Sequence, residues 1–472
     1  MKKNFIISSV VLPAIIVLMF ILPHTTSAQV SGNYDLSAYK LPDIRYQSLV
    51  TVFELSGRNQ SNKFDDRKVL DRYFSGDAGA NYNSFLNTRK VQRYQNANIN
   101  LTGRSSYEEN LLRTEEVSDY YSNLSYQIYN KWYFPNKLFI ATGAYARYHY
   151  GHIRDKYDDT TNIVRDATTN EHTVSLRIPL EFGIGRIEQV QDYYEAIYIY
   201  EDLLKSGRAV AGKTEQEVME LATFVSQLKN RRYFDSRIRN IEDIEKLDSF
   251  LLVNNFKTQS DARYFATLVD NWNFVTHFVR ESGTSIALAV NPELSYYREN
   301  KLYNLQDIRQ KYIRGSYGAE GGIVFEHHKP INLYWQTNTS LRAMGGLMQN
   351  IFEISDTIVR SEYTSTRPEI DIYLNHSLQY YPNTRTRMTA TVNASYLKFF
   401  DETEEDGHVM REGSLYFNSG ISLDVDYYIS QRLRFNADAS LTYVYSTPEN
   451  VFDPKVHRLH SGVSARLAYS IF

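Results

Sequence analysis

Residues 433–445 read Leu433-Arg434-Phe435-Asn436-Ala437-Asp438-Ala439-Ser440-Leu441-Thr442-Tyr443-Val444-Tyr445, and their side chains sort into two sets. Leu433, Phe435, Ala437, Ala439, Leu441, Tyr443 and Tyr445 form an apolar set; Arg434, Asn436, Asp438, Ser440 and Thr442 form a polar one. A period of two belongs to a β-strand, whose successive side chains point to opposite faces. The segments on either side repeat it. Leu415, Phe417, Ile421, Leu423, Val425 and Tyr427 alternate with Tyr416, Asn418, Ser422, Asp424, Asp426 and Tyr428. Leu459, Val463, Ala465, Leu467, Tyr469 and Ile471 alternate with His460, Ser464, Arg466 and Ser470. Each run is long enough to cross a bilayer as a tilted strand, which takes about 9–11 residues.

Composition agrees with a wall of such strands. The 472 residues include 39 Tyr and 24 Phe, yet the mean hydropathy is −0.46. A closed barrel reconciles the two values, because only every second residue meets lipid while aromatics collect at the two interfaces. With 52 Lys+Arg against 55 Asp+Glu, the chain has no general attraction to nucleic acid. It has no cysteine, which excludes disulfides, thiolate metal sites and lipidation at a cleavage site. Met1-Lys2-Lys3, the apolar run from Phe5 to Leu22 and Thr26-Ser27-Ala28 predict a secretory signal over residues 1–28, cleaved after Ala28.

Residues 29–45 then read as an entry segment. Strands are predicted near Tyr46–Ser56, Ala78–Thr88, Gln92–Gly103, Asp119–Lys131, Leu138–Tyr150 and His172–Gly185, the first barrel half within residues 46–186. The second half, within residues 284–472, adds Ser285–Tyr297, Ile313–Phe325, Leu333–Leu347, Ile370–Tyr380 and Thr386–Phe399 to the three already described. The total is about fourteen, even as in single-chain bacterial barrels. Short connections such as Thr88–Val91 and Ser430–Arg432 alternate with long polar ones: Gly57–Asp77, Arg104–Ser118, Gly151–Glu171, Arg298–Tyr312, Gln349–Arg367, Phe400–Glu412 and Ser446–His457. That alternation places the short turns in the periplasm and the long loops outside.

One connection on the short side breaks the pattern. Residues 187–283 change period from two to 3.6 and predict a helical periplasmic insert. Asp192–Lys205 ends at Gly207, Thr214-Glu215-Gln216-Glu217 is a capping box, Asn240 with Asp243 opens a further helix, and Ser260 opens the last. The fold class expected is therefore all-β: a transmembrane antiparallel barrel of about fourteen strands with an inserted α-helical module.

The Tyr-rich alternating strands, the opening Leu41-Pro42-Asp43 and the helical block preceded by Gly185-Arg186-Ile187-Glu188 resemble the large outer-membrane β-barrel proteins of the Bacteroidetes type, over most of the mature chain. The resemblance implies an outer-membrane barrel and carries no catalytic residue. One departure is that Tyr469 and Ile471 belong to the lipid-facing set while Phe472 falls one residue out of register.

The polar faces of the strands supply the candidate lumen-lining residues: Arg177, Glu181, Glu293, Arg314, Glu320, Arg342, Asp371, Arg387, Asp424, Asp426, Arg434, Asp438 and Arg466. Such charges suit a wet or ion-paired lumen. Two readings stay open, a polar channel without strong ion selectivity or ladders of charge that plug the barrel. No P-loop, zincin helix or Rossmann turn is present. His149, His152, Asp155, Asp158 and Asp159 cluster near one rim without a nucleophile and placed base, so catalytic residues are expected to be none. Asp401, Glu402, Glu404, Glu405 and Asp406 are a weak oxygen-ligand candidate for Ca²⁺, and His327-His328 a weaker metal candidate. No cofactor is expected; the expected partners are outer-membrane lipid and a periplasmic protein docking through residues 187–283. A channel for a polar solute or polymer is the first functional expectation, an envelope assembly or interaction protein the second, and an outer-membrane enzyme a distant third.

Overall fold

The computed structural model describes residues 34–469 apart from 65–66, 111, 160–163, 231–235, 275–277, 357–358, 401–402, 406–407, 412, 431–432 and 448–453. The expected signal, its cleavage site and Phe472 lie outside these residues.

The first strands are β1 (Ile44–Phe64), β2 (Arg67–Asn87), β3 (Val91–Glu109), β4 (Arg113–Tyr133), β5 (Leu138–Asp159), β6 (Val164–Arg177) and β7 (Leu180–Gln189). Four helices follow: α1 (Gln191–Lys205), α2 (Glu215–Lys229), α3 (Ser236–Val253) and α4 (Ala262–Phe274). The chain then returns through β8 (Glu281–Tyr303), β9 (Ile308–Pro330), β10 (Trp335–Ser355), β11 (Arg360–Asn383) and β12 (Thr386–Phe399). A small hairpin, β13 (Thr403–Glu405) and β14 (His408–Arg411), precedes β15 (Leu415–Tyr428), β16 (Leu433–Thr447) and β17 (Val456–Tyr469).

Among the described residues, all strands except β13 and β14 form one antiparallel meander of fifteen. Because β6 and β7 both pair with β5 and β8, they are a single wall strand interrupted at Ile178-Pro179, and the wall is fourteen strands wide. The interruption follows from Pro179, which has no N–H to donate to the ladder. The wall is strongly curled. Gln92 at the start of β3 donates 3.2 Å to the Ile187 carbonyl of β7, and Lys131 of β4 lies 4.0 Å from Glu326 of β9. Among the described residues β1 and β17 each pair on one side only; one leaves the short-turn end and the other returns to it, so the two edges run antiparallel.

Register fixes which face is which. Ile140, Phe182, Leu288 and Ile323 lie side by side across β5, β7, β8 and β9, and all four are exposed although nothing polar accompanies them. A row of exposed apolar side chains on an otherwise paired sheet is the lipid face of a barrel wall. On the β6–β7 strand Val174, Ile178, Leu180, Phe182 and Ile184 of the same outward set are likewise exposed, and Leu176 among them is half-buried.

The strands are much longer than a bilayer requires: β1, β2, β4 and β10 each have 21 residues and β11 has 24. This corrects most of the expected long loops. Gly57–Asp77 is mainly the upper part of the β1–β2 hairpin, whose ladder continues to Phe64 and Arg67, and Arg104–Ser118, Gly151–Glu171, Arg298–Tyr312 and Gln349–Arg367 are mostly strand too. Above the membrane both faces meet water, so the alternation disappears while the hydrogen bonds continue. His327 and His328 lie in strand β9.

The largest buried apolar cluster lies in the insert. In α1, residues Asp192–Glu201 are all buried, with Val218, Leu221, Val225, Leu247, Leu251, Leu268 and Trp272 of the other helices around them. Leu36, Tyr39 and Leu41 of the entry segment join the same cluster, as do Leu333, Tyr381 and Tyr428 from the short-turn ends of the wall. Lys229 of α2 pairs with Glu195 of α1, lies 3.8 Å from Asp192, and sits 5.3 Å above the Trp272 ring. The helices thus pack against one another and against the wall at once.

The Thr214 capping box forms as expected. The Lys213 ammonium, then the Thr214 N–H and hydroxyl, hold the Glu217 carboxyl down at about 2. Its contribution to the first turn of α2 is therefore complete above the ordinary Glu value of 4.5 and is lost as pH falls through about 2. Thr214→Ala is expected to destabilise this turn by about 1 kcal/mol, seen as faster amide exchange at Val218. Unchanged exchange would show that tertiary packing alone holds the turn. Two other helix starts differ from expectation. The third helix begins at Ser236, four residues before Asn240, and the fourth is capped by Asp261, which accepts from the Tyr264 N–H at 2.9 Å, and not by Ser260.

Candidate functional site: the inner face and its helical cover

The face opposite the lipid row carries the thirteen charged residues expected there, and the register assembles most of them into pairs. Arg177 of β6 stands opposite Glu293 of β8, with a guanidinium nitrogen 2.6 Å from the carboxylate. Arg342 of β10 bridges Asp371 of β11 at 2.6 Å and Glu320 of β9 at 3.4 Å. Arg387 of β12 and Arg434 of β16 both pair with Asp426 on the strand between them, and Asn436 donates to the same carboxylate. Glu181 accepts the Tyr129 hydroxyl at 2.6 Å. Asp424 and Asp438 face each other directly across β15 and β16; Ser422 donates to the first and Ser464 to the second. Arg314 stands opposite Tyr297 and Arg466 opposite Asn436. A polar cavity of about 310 Å³ opens beside Arg387, Asp426, Arg434 and Gln379.

Other features of this face have no signature in the alternation. Towards the short-turn end the inner side is filled: Phe139 and Ala141 of β5 are fully buried, with Tyr129, Tyr133 and Ala287 around them and the Lys131 ammonium 4.8 Å above the Phe139 ring. Gly183 of β7 allows this contact, since a Cβ there would come within 2.6 Å of the Phe139 ring.

The insert then covers the short-turn end. Its main fastener is Arg280, the last residue before β8, which is wholly buried. The guanidinium donates to the Leu333 carbonyl at 2.7 Å, to those of Asn332 and Trp335 at 3.0 and 3.3 Å, and to Gln336 at 3.0 Å. It also lies between the rings of Tyr194 and Tyr381, at 4.7 and 4.8 Å. Further round the rim, Arg385 pairs with Asp270 of α4, and Phe278 packs on Tyr381 and Tyr428 at 5.9 and 5.8 Å. On the opposite side Arg186 donates to Asn87 and to the Thr88 carbonyl, at 2.8 and 3.0 Å, while Glu188 bridges it to Arg89. The entry segment adds Tyr39, stacked on Tyr193 at 5.6 Å and hydrogen-bonded to Ser226 at 2.9 Å. Turns between β9 and β10 and between β11 and β12 are thus tied to the helical body, and the turn between β2 and β3 to the end of β7 from which that body leaves. Gly185 and Gly283, with φ of +110° and +134°, make the bends by which β7 and β8 leave the wall to reach it.

The other sequence candidates do not come together. His149 and Asp155 point to the inner side of β5, His152 and Asp158 to the outer, because the pleat separates odd from even positions; Asp159 shares the strand. His149 bonds Asn123 at 2.7 Å and His152 bonds Asn170 at 2.8 Å. His327 bonds Thr284, whereas His328 faces Glu281 at 3.2 Å. Asp401, Glu402 and Asp406 lie outside the described residues, and Glu404 and Glu405 belong to the β13–β14 hairpin.

No family model and no curated protein matches the sequence. Solved structures do align along most of the chain. The translocator domain of the autotransporter NalP from Neisseria meningitidis shares 8% identity, over 92% of this chain and 91% of its own, with a TM-score of 0.21. The P. putida toluene transporter TodX shares 9%, over 94% and 95%, with a TM-score of 0.29. The transport unit of the autotransporter AIDA-I from Escherichia coli shares 9%, over 96% and 97%, at 0.22. At these scores no residue role or activity passes from those proteins to this one, and the barrel assignment stands on the paired wall and its lipid row.

Proposed function

We propose that the protein is an outer-membrane channel for a polar solute, with its periplasmic mouth covered by its own helical insert. The observation that carries this reading is the pairing of the inner face: charges that would be costly in a dry core are neutralised two or three at a time along the wall, beside a polar cavity. The cover makes the passage a gated one. A charge-paired wall has no strong preference for either sign of ion, which suits a neutral or mixed-charge cargo.

Excising the insert and joining Gly185 to Gly283 by a short turn tests this. The truncated protein should remain a folded barrel and show a single-channel conductance at least several-fold above that of the full chain in planar bilayers. Equal conductance, with the barrel intact, overturns the gated channel. A second reading has its own support. The outer side of α2 and α3 carries a shallow apolar groove of about 560 Å³ lined by Phe224, Leu228, Phe250 and Val253; Val253 and its neighbour Leu252 are exposed. Such a face suits docking of a periplasmic protein. Loss of a cross-linked periplasmic partner on excision, with conductance unchanged, is the result that favours it.

A further inference from the structure

The outside of the wall carries a second organised surface. On β8 the outward residues run Ile286, Leu288, Val290, Pro292, Leu294 and Tyr296. Ten residue steps at about 3.3 Å, tilted by about 40°, rise about 25 Å, the height of the apolar band of an outer-membrane barrel. The next outward residue is Arg298, so it stands just above that band. Register extends the row sideways to His172 and Tyr150 on one side and Ile313 on the other. The next row up is His152, Asn170, Asn300 and Lys311, and the one above it Arg154, Thr168, Leu302 and Arg309. Across β5, β6, β8 and β9 these three rows contain Arg, Lys or His at half of their positions and Asp or Glu at none; on β10 the first row ends in Glu353.

Acidic residues flank the rows: Glu353, next to Ile313 on β10, is 3.1 Å from Lys311, Asp166 is 3.3 Å from Arg154, and Asp307 is 3.9 Å from Arg309. Arg298 is exposed and donates to Asn300 at 3.2 Å. A cavity of about 540 Å³ lies beside the upper two rows, lined by Asn170, Asn300, Leu302, Arg309 and Lys311 and, at its edge, by Asp307 and Asp356. Immediately below are Tyr148 and Tyr296, aromatic residues of the kind that mark the upper interface.

We infer that this patch binds the phosphate-bearing headgroup of an outer-leaflet glycolipid. Acyl chains would lie along Leu294 and Val174, and the sugar phosphates would rise to the level of Arg298, where a guanidinium offers paired donors to phosphate oxygens and Lys311 a point charge one row higher. The cavity above gives the sugar room. The inference rests on outer-membrane placement with the long hairpins outside, and is independent of whether the lumen conducts.

The test uses the full chain, purified in neutral detergent and stripped of lipid, with bound lipid read by native mass spectrometry. Bis-phosphorylated lipid A should bind the wild type, and its dephosphorylated form should not. Arg298→Ala combined with Lys311→Ala should weaken binding by roughly tenfold or more, the loss of a charge-assisted hydrogen bond, while Arg298→Lys retains most of it. Heat-modifiable mobility verifies that each variant is folded; should the double variant fail there, Arg298→Gln alone is measured against the same lipids. Equal binding of the dephosphorylated form, displacement by millimolar inorganic phosphate, equal binding of phosphatidylglycerol, or undiminished binding by a folded variant would each overturn the inference. Conductance of Arg298→Ala should equal that of the wild type, which separates this site from the channel.

Discussion

Arg280→Met is expected to release the helical cover while leaving the barrel assembled. Four hydrogen-bond acceptors converge on this guanidinium: three turn carbonyls and the Gln336 side chain. All lie where water does not reach the arginine, which is wholly buried. Methionine replaces the volume but donates nothing, and each buried acceptor left without a partner costs about 1–3 kcal/mol. The Trp335 carbonyl keeps the Ile331 N–H, so three acceptors lose a partner and the cost is at least about 3 kcal/mol, with two cation–π contacts also lost. Limited proteolysis should then cut within residues 191–274 at least a hundredfold faster, with β8 to β17 still protected in detergent. Arg280→Lys should rescue little, because one ammonium cannot reach four acceptors arranged for a planar fork. Unaltered proteolysis of Arg280→Met would show that Arg385, Phe278 and the Arg186–Glu188 side hold the cover without it.

Leu423→Arg and Leu441→Arg are expected to abolish assembly. Leu423 of β15 lies opposite Ala439, and Leu441 of β16 opposite Ile421, so both occupy the outward apolar set near the middle of their strands. Both are exposed there, with 56% and 47% of their surface uncovered by protein. An arginine at bilayer depth costs about 2–4 kcal/mol, against little in water. Asn436→Arg, one face away, should assemble normally, since the new guanidinium meets Asp426 opposite it and Asp438 two residues on. The yield of heat-modifiable protein reads all three. Equal yields would mean that the two faces of the wall have been exchanged.

Sequence alone specified the membrane part of the wall well, and the reason is physical. Thr386–Phe399 is observed with the bounds expected, and Leu415–Ile429 differs by one residue, because lipid on one side and a polar interior on the other impose alternation wherever the strand is submerged. Above the lipid that pressure ends, and Gly57–Asp77 reads as loop although it is hairpin. The inner residues were identifiable from the pleat, but their pairing was not. Arg177 meets Glu293 only because the insert leaves and re-enters between adjacent wall strands, a register that no local pattern encodes. Arg280 is the clearest omission: a single arginine at the end of the insert, whose acceptors are turn carbonyls more than fifty residues away. Ser260 and Asp261 are both good caps, and only the backbone geometry of the turn selects Asp261.

The barrel wall, with one face in lipid and the other lined by paired charge, is the claim on which the rest depends. The chain has no cysteine, so a single cysteine at each position from Leu433 to Tyr445 gives a unique site for a spin label. In reconstituted vesicles, labels at positions 433, 435, 437, 439, 441, 443 and 445 should be relaxed by oxygen dissolved in the lipid, and those at 434, 436, 438, 440, 442 and 444 by a water-soluble nickel complex. Accessibility that repeats every 3.6 residues, or odd-numbered positions open to the water-soluble reagent throughout, would contradict it.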